Sequence, residues 1–182
     1  MSIRAAIRRH VQNGRLRPLE MTLGSDEVKR GLFLGPDIWA LMDGPWTSTQ
    51  CAIRVSRLQA DLESFVMGGR VGVCLDAFQA EDAFLGRLDT PEERVWDIRN
   101  RGPRPGLRIL GHFAECNTFV AMTWSPRSVQ WNGRLPLGDR FSPAWVERKA
   151  ISRSEWIRLF PDHEPLHGGA IQDYVSENAF SV

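Results

Sequence analysis

The segment 107–125 contains two runs that favour β-structure, LRILGHFAE at 107–115 and TFVAMTWS at 118–125. Only Cys116 and Asn117 separate them, and a two-residue connection between apolar runs of this kind is typical of a β-hairpin. Residues 95–99 alternate as a strand would, although Thr90 and Pro91 also suit a helix start that could run into them. If 95–99 is a strand, residues 95–127 form a three-stranded antiparallel meander. We therefore predict an α+β fold whose antiparallel sheet is centred on the 107–125 hairpin.

Helices are predicted on both sides of this segment in the chain. Residues 48–66 carry an apolar stripe at helical spacing, which Gly68 and Gly69 end. A strand is expected at 71–75. Further helices are expected to begin at Ser142 and Ser154 and to cover 169–179. We expect these helices to pack on one side of the sheet, within a single domain spanning 1–182.

The N-terminal residues 1–14 form a basic amphipathic helix in this interpretation. Ile3, Ile7 and Val11 recur every four residues, and Gly14 ends the run. No acidic residue occurs before Glu20. Such a helix suits docking on the body of the protein or on a second copy of the chain. It also suits contact with nucleic acid or an acidic partner, or a membrane surface or transit-peptide role.

Composition excludes several classes of protein. The net charge is +1, so the chain as a whole is not built to attract polyanions, although 21 of its 23 basic residues are arginine. Its three cysteines are widely spaced, which opposes a disulfide scaffold and fits a reducing compartment. No apolar run is long enough to cross a membrane. Together with the charges at the N-terminus, where a signal peptide needs an apolar core, these features make a bacterial cytoplasmic protein the default expectation. Phosphate-binding glycine loops and a nucleophile elbow are absent from the sequence, so we expect no cofactor.

The segment FPDHEPLHGG at 160–169 contains the H-E-x-x-H pattern of zinc metalloproteases. That chemistry needs His163 and His167 on one face of a helix, Glu164 as general base, and a third ligand, for which Asp173 has a suitable spacing. Pro165 lies between the two histidines. A proline inside a helix costs about 3 kcal/mol, so the sequence also favours a polar loop at this place.

Arginines cluster around the predicted meander. They are Arg99, Arg101, Arg104, Arg108 and Arg127. Arginine beside aromatic residues is the chemistry of RNA contact, because guanidinium groups bind phosphates and aromatic rings stack on bases. The same arginines also suit ion pairs with Asp97, Glu115 and Asp139 at solvated strand ends.

A local resemblance points in the same direction. The pattern VWDIR, LRILGHF and FVAMTW resembles the strand–strand core of RelE/HigB-like ribonuclease toxins over about 30 of the 182 residues. The resemblance implies RNA as the substrate class. The lysine-rich segment that follows the hairpin in those toxins is replaced here by SPRSV at 125–129.

Three hypotheses on function follow. The default is a cytoplasmic binding or assembly module without a cofactor, with a protein partner or a second copy of the chain bound through the N-terminal helix. The second is an RNA-contacting protein or metal-free ribonuclease that uses the arginine cluster, and it predicts that these arginines converge on one concave face. The third is a zinc hydrolase at His163, Glu164 and His167. The sequence does not decide between enzyme and non-enzyme.

Overall fold

The structure is a computed structural model that describes residues 1–22, 27–78, 82–139 and 141–182. In these ranges, eight strands form one mixed sheet in the order β1-β2-β7-β6-β5-β4-β3-β8. The strands are β1 (Arg17–Pro18), β2 (Gly31–Leu34), β3 (Val71–Cys74), β4 (Leu85–Arg87), β5 (Trp96–Asn100), β6 (Leu107–Glu115), β7 (Thr118–Pro126) and β8 (Ala179–Ser181).

The predicted meander forms the middle of the sheet. β5, β6 and β7 pair antiparallel in sequence order, and the β6–β7 hairpin turns at Cys116 and Asn117. Asn117 has a positive φ of 62°, a conformation that asparagine tolerates better than most residues. The strand interpretation of 95–99 is therefore confirmed, and Thr90 leads only into a short 3-10 helix, Pro91–Glu93.

The prediction of an antiparallel sheet is wrong outside the meander. β2 pairs parallel with β7, and β3 pairs parallel with both β4 and β8. Parallel neighbours are joined by long connections, so no local turn in the sequence predicts that these strands pair.

Five helices are present in the described ranges, and all but the last are at least eight residues long. They are α1 (Ile3–Gln12), α2 (Pro36–Asp43), α3 (Thr49–Val66), α4 (Pro143–Leu159) and α5 (Ile171–Tyr174). The predicted helix at 48–66 is confirmed, with Ser48 as its N-cap. The helices expected from Ser142 and Ser154 are one continuous helix, α4. Only four residues of the predicted 169–179 helix are helical, and the chain then enters β8.

Helices cover both faces of the sheet, which corrects the expectation of helices on one side. Phe119 of β7 belongs to the core cluster that includes Leu58 of α3, whereas the next residue, Val120, packs with Ile7 of α1 and Trp156 of α4. Successive side chains of a strand point to opposite faces, so these two clusters lie on opposite sides. A third cluster joins Leu110 to Trp145 of α4. In the described residues, no helix combines the length and apolar character needed to cross a membrane.

Candidate functional site

The meander places arginines from neighbouring strands side by side. Arg99 on β5 lies directly opposite Arg108 on β6, and Arg108 lies opposite Ser125 on β7. Arg127 follows immediately after β7 ends at Pro126. Directly opposite residues in an antiparallel ladder share a face and have Cβ atoms about 5 Å apart, and like charges at such positions destabilise the sheet. Arg99 and Arg108 therefore need a compensating negative charge.

Asp97 supplies part of that charge. It lies two residues before Arg99 on β5, on the same face, and is completely buried. Nε of Arg99 donates to its two carboxylate oxygens at 2.8 and 3.0 Å, and Nε of Arg108 lies 3.2 Å from Oδ2. The interpretation of Asp97 as an ion-pair partner of the cluster is confirmed, whereas Glu115 pairs with Arg4 of α1 instead. One carboxylate thus serves two guanidinium groups.

Arg108 is largely enclosed, as Arg99 is, but its side chain still reaches solvent. Its side chain is 15% exposed, and its Nη groups have no partner among the residues described. Burial lowers the pKa of Arg108 to about 10. Asp97 opposes that shift, and the positive charges of Arg99, Arg127 and Arg101 add to it. Arg108 is therefore still protonated at neutral pH, in an environment where a bound anion would be stabilising.

Three adjoining depressions meet at these arginines. The first has a volume of about 530 Å³ and is lined in part by Arg99 and Arg101. The second, of about 570 Å³, takes in Arg99, Arg108 and Arg127. The third, of about 520 Å³, is bordered by Arg101, Arg104, Arg108 and Arg127. Each of the five arginines selected from the sequence lines at least one of these depressions, and we call the three depressions together the arginine surface. The described residues that line the third depression include no carboxylate.

The second depression is the most aromatic of the three, because three aromatic side chains line it against one, Phe84, in the first. Phe78, Phe141 and Trp145 contribute to its wall, together with Lys149 of α4. We call this depression the aromatic pocket. The sequence does not single out these residues, because Phe78 precedes the 95–127 meander by 17 residues and the others follow it by 14 or more. Nothing in their local sequence indicates that they fold back over it.

A buried arginine on α3 holds the loop between β5 and β6. Arg54 is 5% exposed and donates to the backbone oxygens of Pro103 and Arg104. Its guanidinium group also lies 4.7 Å from the ring of Trp131. These contacts fix the backbone on which Arg104 is carried, so Arg54 positions one border of the arginine surface.

The H-E-x-x-H segment does not form a helix. α4 ends at Leu159, and residues 163–167 are irregular, as the position of Pro165 favours. Glu164 pairs with Arg94, and the carboxylate of Asp173 accepts hydrogen bonds from the backbone of Gly169 and Ala170, both at 2.9 Å.

The segment therefore does not have the helical geometry that the zinc hypothesis requires. Its general base and its proposed third ligand both have other partners. Among the residues described, no group of three histidine, cysteine, aspartate or glutamate side chains could hold a metal ion, so His163, His167 and Asp173 do not meet at one point.

His112 and Cys116 do not form a nucleophile–base pair. The thiol of Cys116 bonds to the backbone of Gln172, and burial raises its pKa. His112 is 1% exposed, with Nδ1 2.8 Å from the carbonyl oxygen of Arg94 and Nε2 3.1 Å from Oγ of Ser152. A carbonyl oxygen only accepts, so Nδ1 carries the proton and Ser152 donates to Nε2. The side chains of His112 and Ser152 are both buried and hydrogen-bonded to each other, so their role is structural.

Comparisons of the chain with models of protein families, with curated proteins and with solved structures found no match.

Proposed function

We propose that this protein binds RNA through the arginine surface. The observation that carries the proposal is Arg108, whose largely buried guanidinium group has unpartnered Nη donors and lies among three further arginines. Guanidinium groups bind phosphate oxygens with two parallel hydrogen bonds, and such charge-assisted bonds are the strong ones in proteins. A phosphate at this position would relieve the excess positive charge that Asp97 compensates only in part.

The shape of the surface supports a chain of phosphates in preference to one anion. Its three depressions share lining arginines, so a strand that lies across them contacts more than one guanidinium group, although Arg101 also pairs with Asp82 at 3.2 Å. The overall charge of +1 does not oppose this, because local clusters determine where a polyanion binds. The assembly hypothesis has no comparable support, since the apolar side of α1 packs on the chain's own sheet.

Salt-dependent binding of a single-stranded RNA oligonucleotide tests the proposal. Contacts with three phosphates predict that log K falls with log salt concentration with a slope of about −2, because each neutralised phosphate of a single strand contributes about −0.7. Arg108→Gln leaves the Asp97–Arg99 pair in place and should weaken binding about tenfold, in line with the loss of one charge-assisted contact.

The matched control is Arg8→Gln. It removes the same charge from an exposed position on α1, outside the three depressions. RNA binding that is absent, or that responds equally to the two variants, would overturn the proposal.

A further inference from the structure

The aromatic pocket is the part of the arginine surface that carries the most aromatic side chains. Its wall combines Arg99 and Arg108 from the sheet with Trp145 and Lys149 from α4. The depression bordered by Arg104 has only serine and glycine beside its arginines, which suits phosphate oxygens alone. The two neighbouring depressions thus differ, because the aromatic pocket adds aromatic rings and the carboxylates of Asp89, Asp97 and Asp139 to its cationic side chains.

Two phenylalanines of this pocket are exposed to solvent. Phe141 is 73% exposed and Phe78 is 62% exposed. Phenylalanine rings are usually buried, so large exposed rings grouped with arginines mark a place where a ligand covers them. A nucleobase is such a ligand, because every base presents a π-face that stacks on an aromatic ring whatever its sequence.

The volume of the pocket agrees with this occupant. The pocket measures about 570 Å³, within the range of cavities that hold small molecules.

We infer that the aromatic pocket receives one unstacked base of the bound RNA while its phosphates lie on the arginine surface. This inference rests on the proposed function and adds that the ligand is single-stranded. In a duplex each base is stacked and paired, so it cannot enter a pocket beside the backbone without being extruded. The site therefore distinguishes a single strand from a duplex by stacking on Phe141.

The experiment compares two ligands and two variants of the full chain. The ligands are a 12-nucleotide RNA labelled for fluorescence anisotropy and the same RNA annealed to its complement. The variants are Phe141→Ala and the control Leu135→Ala, which removes an apolar side chain that is 68% exposed and lies outside the pocket. Both substitutions are at exposed positions, so unfolding does not confound the comparison, and thermal melts verify this.

We expect the wild type to bind the single strand at least tenfold more tightly than the duplex. Phe141→Ala should lower that affinity about tenfold, in the range of one base–aromatic stack, and should leave the salt slope unchanged because no charge is removed. Leu135→Ala should bind as the wild type does.

Failure of the proposed function and failure of the base pocket alone would give different results. If the wild type shows no salt-dependent RNA binding, the proposed function fails and this inference falls with it. If the wild type binds and Arg108→Gln weakens binding, but Phe141→Ala has no effect or the duplex binds equally well, only the base pocket is overturned.

Discussion

Nε of Arg108 on β6 lies 3.2 Å from the carboxylate of Asp97 on β5, and Asp97 has no exposure to solvent. The same carboxylate also accepts from Nε of Arg99, so it compensates the positive charges of two arginines on neighbouring strands. The Nε atoms of both arginines are thereby directed to the protein, and the Nη groups of Arg108 are left for a ligand. The stability of this part of the sheet and the orientation of the arginine surface thus depend on one residue.

Asp97→Asn should destabilise the fold by about 3 kcal/mol. Removal of one partner from a buried ion pair leaves the other charges uncompensated, and that cost is larger than the net value of the pair itself. Urea denaturation measures the change. Asp43→Asn is the control, since its pair with Arg17 is about half exposed and is worth less than about 1 kcal/mol. Equal effects of the two substitutions would contradict the role given to Asp97.

Stability should fall when the pH is lowered from 7 to 4. Burial lowers the pKa of His112 to about 4, against 6.5 in the unfolded chain. Between these values the unfolded state binds more protons than the folded state, so the free energy of unfolding decreases as the pH decreases. The full shift is worth on the order of 3 kcal/mol. His10 contributes in the same direction, because burial also lowers its pKa.

Denaturation of His112→Gln at the two pH values separates this contribution from that of the carboxylates. The variant should be less stable than the wild type at pH 7 and should lose much less stability at pH 4. His167→Gln, at an exposed position, is the control. A His112→Gln protein with the same pH dependence as the wild type would refute the assignment.

Arg54→Ala should loosen the loop between β5 and β6. The substitution removes both side-chain hydrogen bonds to Pro103 and Arg104, and each charge-assisted bond is worth about 1.5 kcal/mol. Native-state cleavage by trypsin after Arg101, followed by mass spectrometry, should become roughly a hundredfold faster as local opening becomes easier. Arg57→Ala removes an arginine one turn further along α3 that is 65% exposed. If both variants are cleaved at the same rate, Arg54 does not hold the loop.

The zinc hypothesis makes a prediction that metal analysis can test. Because Glu164 and Asp173 have other partners and 163–167 is not helical, we expect protein purified without a histidine tag to contain far less than one zinc per chain. Mass spectrometry of wild type and His163→Ala gives the metal content. Stoichiometric zinc that is lost in the variant would restore the hydrolase hypothesis.

Some elements could be predicted because their signals are local. The Cys116–Asn117 turn lies between two β-forming runs, so the hairpin follows from neighbouring residues. The register shifts after Leu110 and after Phe113 do not follow from the turn. Ser48 and the apolar stripe that follows it define α3 in the same way. Confinement of five arginines to 99–127, across adjacent strands, was enough to predict that they would lie near one another.

Other features depend on contacts between distant parts of the chain. No local pattern shows that β2 pairs with β7 or that β8 pairs with β3, since parallel partners are far apart in sequence. The same limit applies to α4. The sequence predicts a helix start at Ser142, but not that Trp145 and Lys149 pack over the face that carries Arg99 and Arg108.

The sequence by itself thus determined the central meander, the main helices and the local density of arginine, because these follow from turn chemistry, periodicity and composition. Tertiary structure alone decided that the sheet is mixed and covered on both faces, that Asp97 is buried between two arginines, and that aromatic residues complete a pocket beside them. The physical reason is that burial and pairing depend on which distant surfaces fit together, and that fit is a property of the folded chain as a whole.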